Sequence, residues 1–144
     1  MKQRILVSAC LMGVPCRYDG RSKPCKKVLD LLNRYELIPV CPEELGGLPT
    51  PRLKSERFGS KVIHENGTDV TMAFHMGAER TLEIAQKNGC TMAVLKEKSP
   101  SCGKRMRYDG SFHQVLIPGS GVTAELLMQN QFSVFSENEL DQLL

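Results

Sequence analysis

Among the six cysteines of this chain, three share a context that suits chemistry. Cys10 ends the apolar run Ile5-Leu6-Val7-Ser8-Ala9, and Cys41 ends Leu37-Ile38-Pro39-Val40. Cys102 follows Met92-Ala93-Val94-Leu95 across a short Lys/Ser/Pro loop. Short apolar runs of this kind read as buried strands, so all three cysteines fall at or just past strand carboxyl ends. In an open parallel sheet those ends face one crevice, where ligands bind. Thiolate sulfur suits zinc and iron–sulfur clusters. Three such sulfurs, with no fourth ligand placed like them, point to an iron–sulfur cluster with one open iron. Ordinary buried thiols are the competing reading.

The cysteine positions, 10, 16, 25, 41, 90 and 102, hold no paired knuckle of a structural zinc site. They hold no C-x-x-C redox pair either. Cys90 stands between a helix stop and a strand and reads as a small packed hydrophobe. Cys25 falls in a helix first turn, and Cys16 lies in the first loop, which leaves open whether it reaches the crevice or only packs. Glu43, two residues past Cys41, can act as a ligand or a general base, with Glu44 as its competitor. Ser99 and Ser101 flank Pro100 just before Cys102; their hydroxyls can meet a substrate or cap the turn. His64, His75 and His113 show no paired ligand spacing, and the H-x-E with P-C-x-x-C pattern of zinc nucleobase deaminases is missing.

The elements that must position these residues are legible in outline. Strands are predicted over 4–9, 37–41, 91–96 and 132–135, with short extras at 61–64 and 114–117. Pro39 inside the second strand favours a sheet edge. Helices are predicted over 24–34, 70–88 and 121–130. Ser22 is the candidate N-cap of the first, Asp69 caps the second, and Asn88-Gly89 stops it. Asn66-Gly67 is a hairpin-type turn signal. Two glycines and three prolines mark 41–52 as an ordered loop without regular structure. Ser136 to Glu139 forms a capping box ahead of a short tail helix. This alternation predicts one α/β domain over 1–144, Rossmann-like, with a parallel sheet covered by helices on both faces. Arg17-Tyr18-Asp19-Gly20 recurs as Arg107-Tyr108-Asp109-Gly110, which gives either two unrelated turns or a pair of lids over one crevice.

A chain of 144 residues can bury a real core without staples. No stretch approaches the roughly 20 apolar residues of a membrane span, and the N-terminal apolar run is too short for a secretion signal. A cytoplasmic location with reduced thiols is expected. The net charge of +3 is mild, yet basic residues flank the cysteine loops at Arg17, Arg21 and Lys23, and again at Lys96, Lys98 and Lys104. They form either a solvated face or an electropositive rim for a phosphate or an anionic cluster. With 6% aromatic residues and no Trp, an extended stacking platform for RNA is poorly supported. Nothing in the sequence specifies an oligomeric state.

With these residues assembled, the chain resembles a bacterial family first catalogued as a domain of unknown function, some members of which are described as thiouracil desulfidases. The resemblance rests on residues 6–20, on Cys41-Pro42-Glu43 with Gly46-Gly47-Leu48-Pro49-Thr50-Pro51-Arg52, and on Ser99-Pro100-Ser101-Cys102-Gly103, which recur in order over nearly the whole chain. It implies a [4Fe-4S] cluster held by Cys10, Cys41 and Cys102, with the fourth iron open to the sulfur of a thiolated pyrimidine. It implies that Glu43 activates water or relays protons and that Ser101 orients the base or an intermediate, in a non-redox hydrolysis giving uracil and sulfide. Family members fused to a further domain are linked to thiolated tRNA; 144 residues favour a free thiobase, nucleoside or nucleotide. Three alternatives stay open: a non-catalytic iron–sulfur or zinc module serving as sensor or sulfur carrier, an RNA-associated desulfidase acting on thiolated tRNA, and a basic RNA-binding domain whose cysteines merely pack.

Overall fold

The computed structural model describes residues 2–144. In chain order the elements are β1 (Gln3–Ser8), α1 (Lys26–Asp30), β2 (Tyr35–Val40), α2 (Pro42–Leu45), β3 (Ser55–Phe58), β4 (Lys61–His64), α3 (Thr71–Lys87), β5 (Met92–Leu95), β6 (Met106–Tyr108), β7 (Leu116–Pro118), α4 (Val122–Gln129) and β8 (Ser133–Ser136). Short 3₁₀ turns cover Ala9–Met12, Leu31–Asn33 and Leu140–Gln142. The order β2-β1-β5-β8 makes one four-stranded sheet, and its three strand pairings are all parallel. The predicted α/β architecture is therefore the observed one.

Alternation along β1 divides the core. Ile5 and Val7, with Val94 of β5, face Val28, Leu31, Leu140 and Leu143. Leu6, with Ala93, Leu95 and Val134, faces Ala85 of α3 and Ala124 and Leu127 of α4. Helical segments thus cover both sheet faces, and successive residues of a central strand go to opposite layers. Full burial of each Ile, Leu or Val among them contributes about 1.5–3 kcal/mol. β2 is an edge strand, which accommodates Pro39 opposite Val7.

Several local expectations are corrected. The first helix is shorter than 24–34: Cys25, not Ser22, is its N-cap, and it tightens into a 3₁₀ turn at Leu31. The stretch 41–52 does hold regular structure, the single-turn helix α2, started by Pro42 at its first position. The strand at 61–64 pairs with β3, which sequence reasoning missed, across a turn at Gly59-Ser60. Asn66-Gly67 does turn the chain back, but only into an isolated bridge between Ile63 and Asp69. Val70 holds the N-cap position of α3, while Asp69 Oδ1 accepts the Thr71 N–H at 2.8 Å. Ser136 N–H donates to Glu139 Oε1 at 3.1 Å, one half of the capping box, and the tail closes as a 3₁₀ turn.

A glycine pair sets the position of α2. A Cβ on Gly46 would stand 2.0 Å from the Ala73 carbonyl oxygen, and one on Gly77 equally close to that of Pro42. Only two bare glycines let α2 lie backbone to backbone on α3.

Candidate active site

The carboxyl ends of β1, β2 and β5 open onto a cavity of about 220 Å³ lined by Cys10, Cys16, Cys41 and Cys102. β1 sits between β2 and β5, so the cavity lies where successive strands depart to opposite sides of β1. Cys10 lies in the 3₁₀ turn after β1, which Gly13 closes with φ +99°. Cys41 is the N-cap of α2, and its carbonyl accepts the Leu45 N–H at 2.9 Å.

Cys102 is placed by a loop held from three sides. The carboxylate oxygen Oε1 of buried Glu97 accepts backbone N–H groups from Lys98, Lys104, Arg105 and Met106 at 3.0–3.2 Å. Ser99 Oγ accepts those of Ser101 and Cys102 at 3.1 and 3.0 Å. The carbonyls of Pro100 and Ser101 take the Val122 and Thr123 N–H groups at 2.9 and 2.8 Å, so the loop caps the first turn of α4.

The thiols of Cys16, Cys41 and Cys102 are costly to ionise without a cation. Contact with the Cys10 thiol pushes Cys16 up to about 11, while the Cys41 thiol pulls it down and burial adds to the rise. Cys41 is raised by its contact with Cys16 and by burial. Burial pushes Cys102 up to about 12, against the hydroxyls of Ser8 and Ser101, which favour its thiolate. Bound metal offsets such costs by direct coordination of the thiolate. Among the described residues no three His, Cys, Asp or Glu side chains surround a single-ion position. The sulfurs border a cavity instead, which suits a polynuclear group. Lys54 and Lys98 also line it, supplying positive charge toward an anionic cluster or substrate, whereas the Lys96 ammonium pairs with Glu137 at 2.9 Å.

Glu43 lines the same cavity on α2. Its Oε1 accepts Arg52 Nε at 3.0 Å, with the arginine side chain 3% exposed and the glutamate 16%. Arg52 also donates from Nη2 to the Cys16 carbonyl at 2.9 Å and from Nη1 to Thr50 Oγ1 at 2.8 Å. Burial works against the Arg52 charge, and the Glu43 carboxylate more than offsets it, leaving its pKa raised. No role was assigned to Arg52 or Glu97 from sequence. The available signal for Arg52 was its place at the end of the Gly46–Arg52 motif; Glu97 had none.

The structure thus brings Cys10, Cys41, Cys102 and Glu43 to one cavity, and adds Cys16. Ser101 does not line it: its hydroxyl lies 2.7 Å from Thr123 Oγ1, and both residues are buried. In this structure the Ser101 hydroxyl meets Thr123 and the Cys102 thiol. Ser99 lines the cavity but uses its Oγ to hold the loop. Glu44 turns to the Thr50 hydroxyl, Cys90 packs in the core, and His75 and His113 are exposed. Ser55, unremarked in the sequence, lines the cavity with its Oγ 2.5 Å from His64 Nδ1. No helix among the described residues is long and apolar enough to cross a membrane.

Comparison with known proteins agrees with this fold. The family model for 2-thiouracil desulfurase matches residues 5–139. A Bacillus subtilis (strain 168) protein, the uncharacterized protein YbbK, is 41% identical over 150 residues, covering 97% of this chain and 99% of the relative. A solved structure named as the [4Fe-4S]-dependent thiouracil desulfidase TudS is 45% identical, with a TM-score of 0.91, covering 99% of this chain and 95% of that one.

Proposed function

The chain belongs to the 2-thiouracil desulfurase family, and on that premise we propose that it removes sulfur from a thiolated pyrimidine by hydrolysis in the cytoplasm. The observation that carries the proposal is the meeting of Cys10, Cys41, Cys102 and Glu43 in one cavity at the strand ends. The name of the TudS structure supports a [4Fe-4S] cluster here. Cys10, Cys41 and Cys102 would hold it by their thiolates, and its unligated iron would supply Lewis acidity to the substrate's sulfur.

The residues of the chain supply the rest. Arg52 fixes the Glu43 carboxylate toward the cavity. Glu43 accepts a proton from water as the water oxygen bonds to the thiocarbonyl carbon, and returns it as the C–S bond breaks. The oxygen of water ends on carbon and its two protons go to sulfur, so no electrons are exchanged. Ser8 and Ser101 donate hydrogen bonds toward the Cys102 sulfur and favour its thiolate. The lysines of the rim attract an anionic substrate and fit a thionucleotide as well as a free base.

The test is anaerobic reconstitution with iron and sulfide, followed by 4-thiouracil, 2-thiouracil, 4-thiouridine and its 5′-monophosphate. Loss of thiobase absorbance with matching sulfide release is expected, and the four rates rank the substrates. A cluster-loaded protein inactive on all four would overturn the activity and favour a non-catalytic metal module.

A further inference from the structure

We infer that Tyr18 and Tyr108 are the stacking contacts for the planar heterocycle at the mouth of the cavity. The inference rests on the desulfuration reading and names how that site recognises a base. The repeated Arg-Tyr-Asp-Gly segments lie 90 residues apart, the first in a loop and the second at the end of β6, yet their Asp-Gly turns fold alike. In the first, Asp19 Oδ1 accepts the Arg21 N–H at 3.0 Å and Gly20 takes φ +76°. In the second, Asp109 Oδ1 accepts the Ser111 N–H at 2.9 Å and Gly110 takes φ +96°. Each turn delivers its tyrosine to the wall of the same cavity.

Each ring also carries a cation. The Arg17 guanidinium lies 5.8 Å from the centroid of Tyr18, and the Lys54 ammonium 4.9 Å from that of Tyr108. A cation over one face holds a ring in place, and a planar base would stack on the other face. Such a face binds any nucleobase and is tolerant of its substituents.

Residues 52–56 anchor both turns. The Arg52 N–H donates to the Tyr18 carbonyl at 2.8 Å. Glu56 Oε1, on a residue buried in β3, accepts the N–H groups of Gly110 and Phe112 at 3.0 and 3.1 Å. The segment that holds Glu43 through Arg52 therefore also anchors both tyrosine-bearing turns. The mouth is pre-organised, and little ordering cost remains for binding.

The test uses cluster-loaded protein, kinetics with 4-thiouracil, and titration of uracil by saturation-transfer NMR. Y18A and Y108A are expected to raise KM for 4-thiouracil and Kd for uracil about tenfold each, the loss of one base–aromatic stack. Iron content and kcat stay close to wild type. Y18F and Y108F keep wild-type values, and so does Y35F, whose ring lies outside the cavity. Leucine variants keep apolar bulk should alanine disturb folding, and are expected to behave as alanine. Unchanged KM and Kd in the alanine and leucine variants would overturn the inference, as would phenylalanine variants as impaired as alanine. A cluster-loaded wild type that neither binds nor converts a thiobase overturns the desulfuration reading as well; turnover with tyrosine-insensitive binding overturns this inference alone.

Discussion

Glu43 depends on Arg52 for its orientation, because the glutamate sits on a single helical turn with little else to hold it. Their ion pair is nearly buried, and the same guanidinium reaches the Cys16 carbonyl. E43Q removes the proton acceptor but not the shape. It is expected to lower kcat about 10²–10⁴-fold with iron and sulfide content unchanged, measured by single-turnover assay beside metal analysis. R52A frees the carboxylate and is expected to lower kcat about 10–100-fold. R52K keeps the charge but cannot reproduce the planar fork, so it recovers only part of that loss. If R52K matched wild type, charge alone rather than orientation would be what Arg52 contributes.

At the scale of elements, the cavity depends on how a loop and a short helix are seated. Glu97 gathers four backbone N–H groups of the Cys102 loop on one oxygen. E97A leaves these part-buried groups without their acceptor, a loss of about 1–3 kcal/mol for each that water does not reach, and is expected to slow cluster uptake during reconstitution. E97Q keeps an acceptor oxygen and falls between E97A and wild type. G77A pushes α2, and with it Cys41 and Glu43, off α3; overpacking of this kind costs about 1–3 kcal/mol, read as a lowered Tm with reduced iron retention.

The tail adds a pH-dependent contact at the same scale. Burial tends to raise the Glu139 pKa. The Ser136 N–H, Lys104 and Arg105 override it and hold the carboxyl below its usual range. A depressed folded value means that this contribution is complete above the unfolded value of roughly 4.5 and is lost as pH falls through the folded one. E139Q should therefore flatten the acid limb of a stability–pH curve below that point and leave the curve's shape near neutrality unchanged.

Across the whole molecule, a group bound by Cys10, Cys41 and Cys102 would join the turn after β1, the start of α2 and the loop after β5. A ligand that binds only the folded state adds to stability. The reconstituted protein is expected to melt at a higher temperature than the chelator-treated one under reducing conditions, by differential scanning fluorimetry in an anaerobic chamber. C10S, C41S and C102S should each erase that difference. A variant that kept both iron and the full shift would remove its cysteine from the ligand set.

The strands carrying the cysteines were legible because burial in a parallel sheet writes itself locally, as short apolar runs ended by loop residues. Pro39 announced an edge strand for an equally local reason, its missing N–H. Helix α2 was hidden by the prolines and glycines around it, and it persists because Gly46 and Gly77 remove the side chains that would separate it from α3. Arg52, Glu97 and Ser55 left no periodic trace, since each acts on a partner reached across a loop or hairpin. The direction of the Ser101 hydroxyl, toward Thr123 and the Cys102 sulfur, was likewise set by how the loop docks on α4. The sequence by itself determined the sheet, the identity of the soft donors and the end of the sheet they occupy. Only the tertiary structure decided which of them face one another, and that Glu43 and two distant tyrosines join them, because side-chain direction follows from packing between segments rather than from order along one.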